Sequence, residues 1–142
     1  MRLTLYTEYS IRTLIYLGKN QGRRVAIQEI ADTHQISSNH LSKIVCRLAR
    51  NGMVSSRRGR TGGLELAHPT NKITLGDIVR FTEADMDELV TCEPDKGKAC
   101  VLSDACRLRG ILAQSLNAFM SVLDGVTLHD IIMESGQRHI QR

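Results

Sequence analysis

Three cysteines, Cys92, Cys100 and Cys106, fall within fifteen residues of a polar segment that also holds Pro94, Gly97 and five charged side chains. Such a stretch has too little apolar surface to enter a core, so its thiols read as exposed and kept for their chemistry. Thiolates bind iron–sulfur clusters and zinc alike. Structural zinc sites close four ligands, commonly with closely spaced cysteine pairs, and gaps of seven and five residues are loose for that. The pattern favours an iron–sulfur cluster, of 4Fe-4S or 2Fe-2S type, over zinc, a thiol redox switch or inert surface cysteines. Three thiols leave one coordination position for a different residue, and a non-cysteine ligand makes a site labile, which suits a sensor. No histidine lies in the segment. The candidates are Glu8, supplied by the first helix of a neighbouring chain, or Asp104 within the segment. Cys46 stands beside Val45 in a helical stretch and reads as a small buried hydrophobe outside the ligand set.

The rest of the chain has to say what a cluster would control. Its 142 residues allow one domain, or one small domain with an extension. Aromatic residues make up 4% and Trp is absent, so the core must be Leu, Ile and Val. No apolar run approaches the ~20 residues of a membrane span, and the N-terminus lacks the apolar stretch and cleavage site of a signal peptide. Cysteines without a secretion signal point to a reducing, cytoplasmic setting, where metal binding or redox chemistry is favoured over disulfides. The net charge of +4 is uneven: residues 1–68 carry eleven basic and four acidic residues, and residues 69–142 eight basic and eleven acidic ones. A basic front half is what a nucleic-acid surface needs, because phosphate neutralisation dominates that affinity.

Apolar periodicity predicts a first helix over 7–20 with Thr7 as N-cap, a second over 27–34, a tight turn at Gln35-Ile36-Ser37, and a third helix over 38–51 capped by Ser38 or Ser37. The third helix has Leu41, Ile44, Val45 and Leu48 inward, and Gly52 ends it. Two short strands, 53–57 and 64–67, flank a tip rich in arginine and glycine, which reads as a β-hairpin. After a connector at 69–72, Thr74 caps a helix over 75–81 and an acidic patch follows at 83–88. A long helix from about Asp104 to Leu123 carries a wide apolar face of Leu108, Ile111, Leu112, Ser115, Leu116, Phe119, Val122 and Leu123. That face reads as a subunit interface that a two-fold partner buries. Thr127 caps a last helix over 128–134.

Helix, turn, helix and basic hairpin, in that order, make a mainly α winged helix-turn-helix with a small β-hairpin wing and a long C-terminal dimerisation helix. Residues 1–72 form the DNA-binding unit, and 73–142 hold the cluster-binding segment and the dimerisation helix. Ser37, Ser38, Asn39, His40 and Lys43 lie on the third helix's first turns, where side chains reach base edges and phosphates in a major groove. Arg57, Arg58 and Arg60 arm the wing for phosphates or an adjacent minor groove. Arg12, Arg47 and Arg50 read as surface residues or phosphate contacts rather than sequence readers.

The stretch Leu3-Thr4-Leu5-Tyr6-Thr7-Glu8-Tyr9-Ser10-Ile11-Arg12, the segment from Ser38 to Val45, the wing from Arg57 to Gly63 and the three cysteines before an amphipathic helix together resemble the iron–sulfur winged-helix transcription regulators. The resemblance covers nearly the whole chain. It is closer to the nitric-oxide-sensing repressors than to the cluster-assembly regulators, because Asn39-His40-Leu41 with Lys43-Ile44 looks like the former and no histidine follows Cys106 at Arg107, Leu108 or Arg109. The resemblance implies a homodimeric, cytoplasmic repressor that binds a partly palindromic double-stranded operator. Nitric oxide is the implied signal, one cluster is held per subunit, and Glu8 is the implied fourth ligand, given by the partner subunit; the family more often has Asp there. A regulator of cluster supply or redox stress is the nearest rival, and an electron-transfer or cluster-carrier protein the rival from another class. No nucleophile–base pair, phosphate loop or paired-carboxylate site suggests an enzyme.

Overall fold

A computed structural model describes residues 2–59, 61–83 and 107–137, with side chains up to residue 134. Cys92, Cys100, Cys106, Asp104 and Arg60, most of the acidic patch and the basic C-terminal tail lie outside the described residues.

The first helix, α1 (Leu5–Lys19), begins earlier than the sequence predicts. Thr4, not Thr7, is its N-cap and accepts the Thr7 amide at 3.3 Å. Thr7 is fully buried. The inner face of α1 mixes Leu14 and Leu17 with Thr7, Ser10 and Thr13, all of them buried. Ser10 and Thr13 donate their hydroxyls to the carbonyls of Tyr6 and Tyr9, both at 2.7 Å. Satisfied in this way, small hydroxyl side chains let neighbouring helices approach without an orphaned polar atom.

Helix α2 (Ile27–His34) and helix α3 (Ser38–Arg50) form the expected pair. Their turn is made by Gln35 in the left-handed region, at φ 54°. Leu41, Ile44, Val45 and Leu48 are buried, as their spacing predicts. Asn51 is the C-cap of α3, and Gly52 follows at φ 76°. The Gly52 amide donates to Ala49 at 3.1 Å and the Met53 amide to Leu48 at 3.0 Å, closing the helix end with the paired bonds that favour glycine there.

Strands β1 (Val54–Arg57) and β2 (Gly63–Leu66) are antiparallel, with Val54 opposite Leu66 and Arg57 opposite Gly63. Gly62 sits so close to the carbonyls of Arg57 and Gly59 that no side chain fits. Val25, just before α2, adds an unforeseen isolated bridge: its amide donates to the Leu64 carbonyl at 2.9 Å, and its carbonyl accepts the Leu64 amide at 2.8 Å. After a single 3-10 turn at Thr70–Lys72 comes α4 (Leu75–Thr82), held by a reciprocal capping box between Thr74 and Asp77. Helices α5 (Arg107–Asp124) and α6 (Leu128–Gln137) complete the described chain.

One core gathers residues from α1, α2, α3, both strands, Ile73, Ile78 of α4 and Leu128 of α6. A second, small cluster joins Val79 of α4 to Leu116 and Met120 of α5, with Phe119 and Leu123 beside it. The apolar face of α5 therefore divides. Leu116, Phe119 and Leu123 pack within the chain, whereas Leu108, Ile111 and Val122 are 55%, 49% and 68% exposed. Arg80 grips Asp124 with two bonds, at 2.7 and 2.6 Å, and so fixes the end of α5 to α4.

Candidate nucleic-acid interface

The four core residues of α3 lie on one side of the helix, and the opposite side is a polar, exposed stripe. Asn39, Lys43, Cys46 and Arg50 follow one another along it at spacings of four, three and four. Cys46 is thus exposed, and the expectation of a buried thiol is wrong. It follows Val45 by one residue, about 100° around the helix, and that step carries it off the apolar stripe.

Of the residues singled out from sequence, Ser37, Asn39, His40 and Lys43 are exposed on the first turns of α3, and Ser38 is half-buried. Ser37 occupies the N-cap position, yet its side chain makes no capping bond. Ser38 donates its hydroxyl to Gln28 of α2 at 2.7 Å, and Gln28 in turn donates to Asp32 at 2.7 Å. No local pattern marks Gln28, because its role depends on a contact ten positions away. His40 turns toward α1, where it meets Tyr9 edge-on at 5.7 Å. Arg57 and Arg58 are exposed at the end of β1, and the base of the hairpin is braced by Arg24 pairing with Glu65 at 2.7 Å.

Hydrogen bonds from Arg23 and Tyr16 lower the Glu29 carboxyl to about 2. Burial, with Arg12 and Lys19 nearby, pushes the His34 imidazole below its ordinary value. Glu8 stands on the outer side of α1, 45% exposed, with its carboxylate 2.6 Å from Arg12. It borders a shallow cleft of about 490 Å³ shared with Arg2, Leu3, Ile11 and Arg12. Among the described residues, no group of three His, Cys, Asp or Glu side chains could hold a metal ion, and no helix is long and apolar enough to cross a membrane.

A helix pair with a tight left-handed turn, an exposed polar stripe on its second helix and an arginine-bearing hairpin define a winged helix-turn-helix DNA-binding protein. The family model "Rrf2: Iron-dependent Transcriptional regulator" matches residues 3–134, and the chain belongs to this family of transcription regulators, which is not a family of enzymes. Among curated relatives, the HTH-type transcriptional regulator NsrR of Bacillus licheniformis is 43% identical, covering 100% of this chain and 98% of its own length. The regulator of the same name from Bacillus subtilis is 41% identical over 93% of this chain and 90% of its own length. Among solved structures, CymR, the global cysteine regulator of B. subtilis, superposes with a TM-score of 0.79 at 26% identity, covering 94% of this chain and 98% of that one. T. potens IscR, at 24% identity and a TM-score of 0.74, covers 95% of this chain and 88% of its own and shares the fold.

Proposed function

We propose that this regulator is a homodimeric repressor whose grip on DNA is set by an iron–sulfur cluster and released by nitric oxide. The observation that carries the reading is the setting of Glu8. It offers a half-exposed carboxylate at the rim of an apolar cleft, on a helix whose other side packs against α3. A second subunit's cysteine segment can enter such a cleft. The donor set fits the group: Cys92, Cys100 and Cys106 supply thiolates, and the partner's Glu8 supplies an oxygen. Cys46, on the exposed stripe of α3, is left out of the set. When bound, the cluster supplies iron that reacts with nitric oxide, the signal implied by the sequence resemblance.

The chain's own residues do the rest. Glu8 has an alternative partner in Arg12, and an exposed pair of this kind contributes only ~0.3–0.5 kcal/mol, so the carboxylate exchanges between the two readily. Its state bears on α1, and α1 bears on α3. Ser37, Ser38, Asn39 and Lys43 face the major groove, with His40 beside them against Tyr9, while Arg57, Arg58 and Arg60 follow phosphates or enter the minor groove. Residues 1–72 carry the DNA-binding role and 73–142 the sensing and pairing roles; this is a division of labour, since Ile78 and Leu128 sit in the same core as Leu14. Leu108, Ile111, Ser115 and Val122 form the exposed seam of α5 that pairs two subunits, and two such subunits read a partly palindromic operator in the cytoplasm.

The test is to purify the protein without oxygen, record its visible absorption, and titrate it with nitric oxide while following operator binding. A coloured protein that changes with nitric oxide and releases DNA in step supports the proposal. A coloured protein that ignores nitric oxide points to cluster supply or redox stress, and a colourless one that holds zinc refutes the ligand set. Cys92→Ala, Cys100→Ala and Cys106→Ala should each abolish the colour, and Cys46→Ala should keep it.

A further inference from the structure

Arg47 lies one residue beyond Cys46, about 100° further around α3; the residue stays exposed, but its guanidinium reaches back toward the rest of the domain. Its guanidinium carbon is 4.3 Å from the centre of the Tyr6 ring on α1 and 6.0 Å from the Phe81 ring on α4. The two rings are themselves 6.5 Å apart, tilted by 58°. Three helices therefore meet at one cation flanked by two aromatic rings. The neighbouring Tyr9–His40 contact ties α1 to α3 a second time.

We propose that Arg47 is a positioning residue, which seats the recognition helix against Tyr6 and Phe81 rather than touching DNA. A guanidinium is suited to this because it is flat and weakly hydrated, and it stacks where an ammonium does not. Phe81 lies two residues before Glu83, and Glu83 is held by Thr4 and Thr7 at the start of α1. The end of α4 that leads in sequence to the three cysteines thus also seats α3. A change felt there reaches the DNA-reading helix through Phe81 and Arg47 as well as through α1. That link to the cysteines rests on the function proposed above; the seating role of Arg47 does not.

The experiment uses the full chain as it is isolated without oxygen, every variant prepared in the same way, with an operator selected from a pool of random duplexes. Arg47→Lys keeps the charge and loses the flat face. Its specific affinity should fall about two- to fivefold per half-site, while non-specific binding and the salt slope stay unchanged. Tyr6→Leu should do the same, and the double variant should be no worse than either single one. Phe81→Leu takes the place of Tyr6→Leu if that variant fails to fold. Amide exchange in α3, measured without DNA, should quicken in Arg47→Lys. An Arg47→Lys protein that binds as the parent does, beside an Arg47→Ala protein whose salt slope drops by about one, makes Arg47 a phosphate contact and overturns the proposal. Additive effects, or unaltered exchange in α3, overturn it too, and the exchange readout holds even if no cluster is ever found.

Discussion

Glu83→Ala is expected to destabilise the protein by about 2 kcal/mol. One oxygen of Glu83 accepts from the Thr4 amide at 2.7 Å, from the Thr4 hydroxyl at 3.0 Å and from the Thr7 hydroxyl. A single hydrogen bond to a charged acceptor contributes ~1.5–3 kcal/mol. Three donors sharing one oxygen do not sum, and Thr7 keeps a partner in Thr82 at 2.7 Å, so a loss near the single-bond value is the right scale. The carboxylate also faces the N-terminal end of α1, where the helix dipole adds ~0.3–1 kcal/mol. With about 3 °C per kcal/mol for a chain of this size, the melting temperature should drop by about 6 °C. Glu83→Gln should fall between the parent and the alanine variant. Burial opposes ionisation of Glu83, but the bonds from Thr7 and Thr4 outweigh it and hold the carboxyl below its ordinary value. A depressed folded pKa contributes stability that is full above the unfolded value of 4.5 and is lost as pH falls through the folded one. Parent and variant should therefore differ at pH 7 and converge in acid. Urea unfolding followed by circular dichroism, with the exposed Glu134→Ala as control, measures both. A Glu83→Ala midpoint equal to the control's at pH 7 would refute the reasoning.

Three further outcomes follow from the same geometry. Gln35→Gly removes left-handed strain of about 1–2 kcal/mol, partly offset by glycine's freedom in the unfolded chain, about 0.5–1 kcal/mol. The variant should gain about 0.5–1 kcal/mol, seen as a higher urea midpoint at unchanged slope. The Nε2 atom of His34 is buried without a hydrogen-bond partner among the described residues, and the imidazole's pKa is depressed from 6.5 by burial first and then by Arg12 and Lys19. Stability should therefore be full above pH 6.5 and fall as pH drops toward the folded value, a slope that His34→Phe should flatten in unfolding curves at successive pH values. Ile111→Asp puts a charge into the exposed seam of α5 and should shift sedimentation toward monomer while leaving the α-helical signal intact; a dimer that persists would move the pairing surface elsewhere.

The helix pair, the wing and the Thr74 cap were legible because each follows from local pattern: 3.6-residue periodicity, glycine at a helix end, a hydroxyl before a helix. The start of α1 was not. Thr7 has the chemistry of a cap, and only the packing of α4 onto α1 explains why a hydroxyl there is buried. The exposure of Cys46 departs from expectation for a different reason. Its position alone, one step past Val45, takes it out of the stripe, but the habit of cysteine to be buried outweighed the geometry. The bridge from Val25 to Leu64 and the bond from Ser38 to Gln28 join residues that no short window compares. The apolar face of α5 was recognised, while its division into an inward cluster around Leu116 and Met120 and an outward seam at Ile111 and Val122 depends on where α4 lies.

A Cβ placed on Gly18 of α1 would come within 2.5 Å of the Ile132 side chain of α6 and 3.1 Å of Thr70. This notch admits the far end of the chain into the first helix, and Leu128 closes the core beside it. The consequence concerns synthesis. Residues 5–50 hold all three helices of the DNA-reading unit, yet their core lacks its lid until α6 has left the ribosome. At about 5–20 residues per second, the nascent chain spends several seconds with the side of this core that α6 covers still open. A ribosome stalled before Leu128 would leave an apolar surface for chaperones rather than a partial regulator able to occupy DNA.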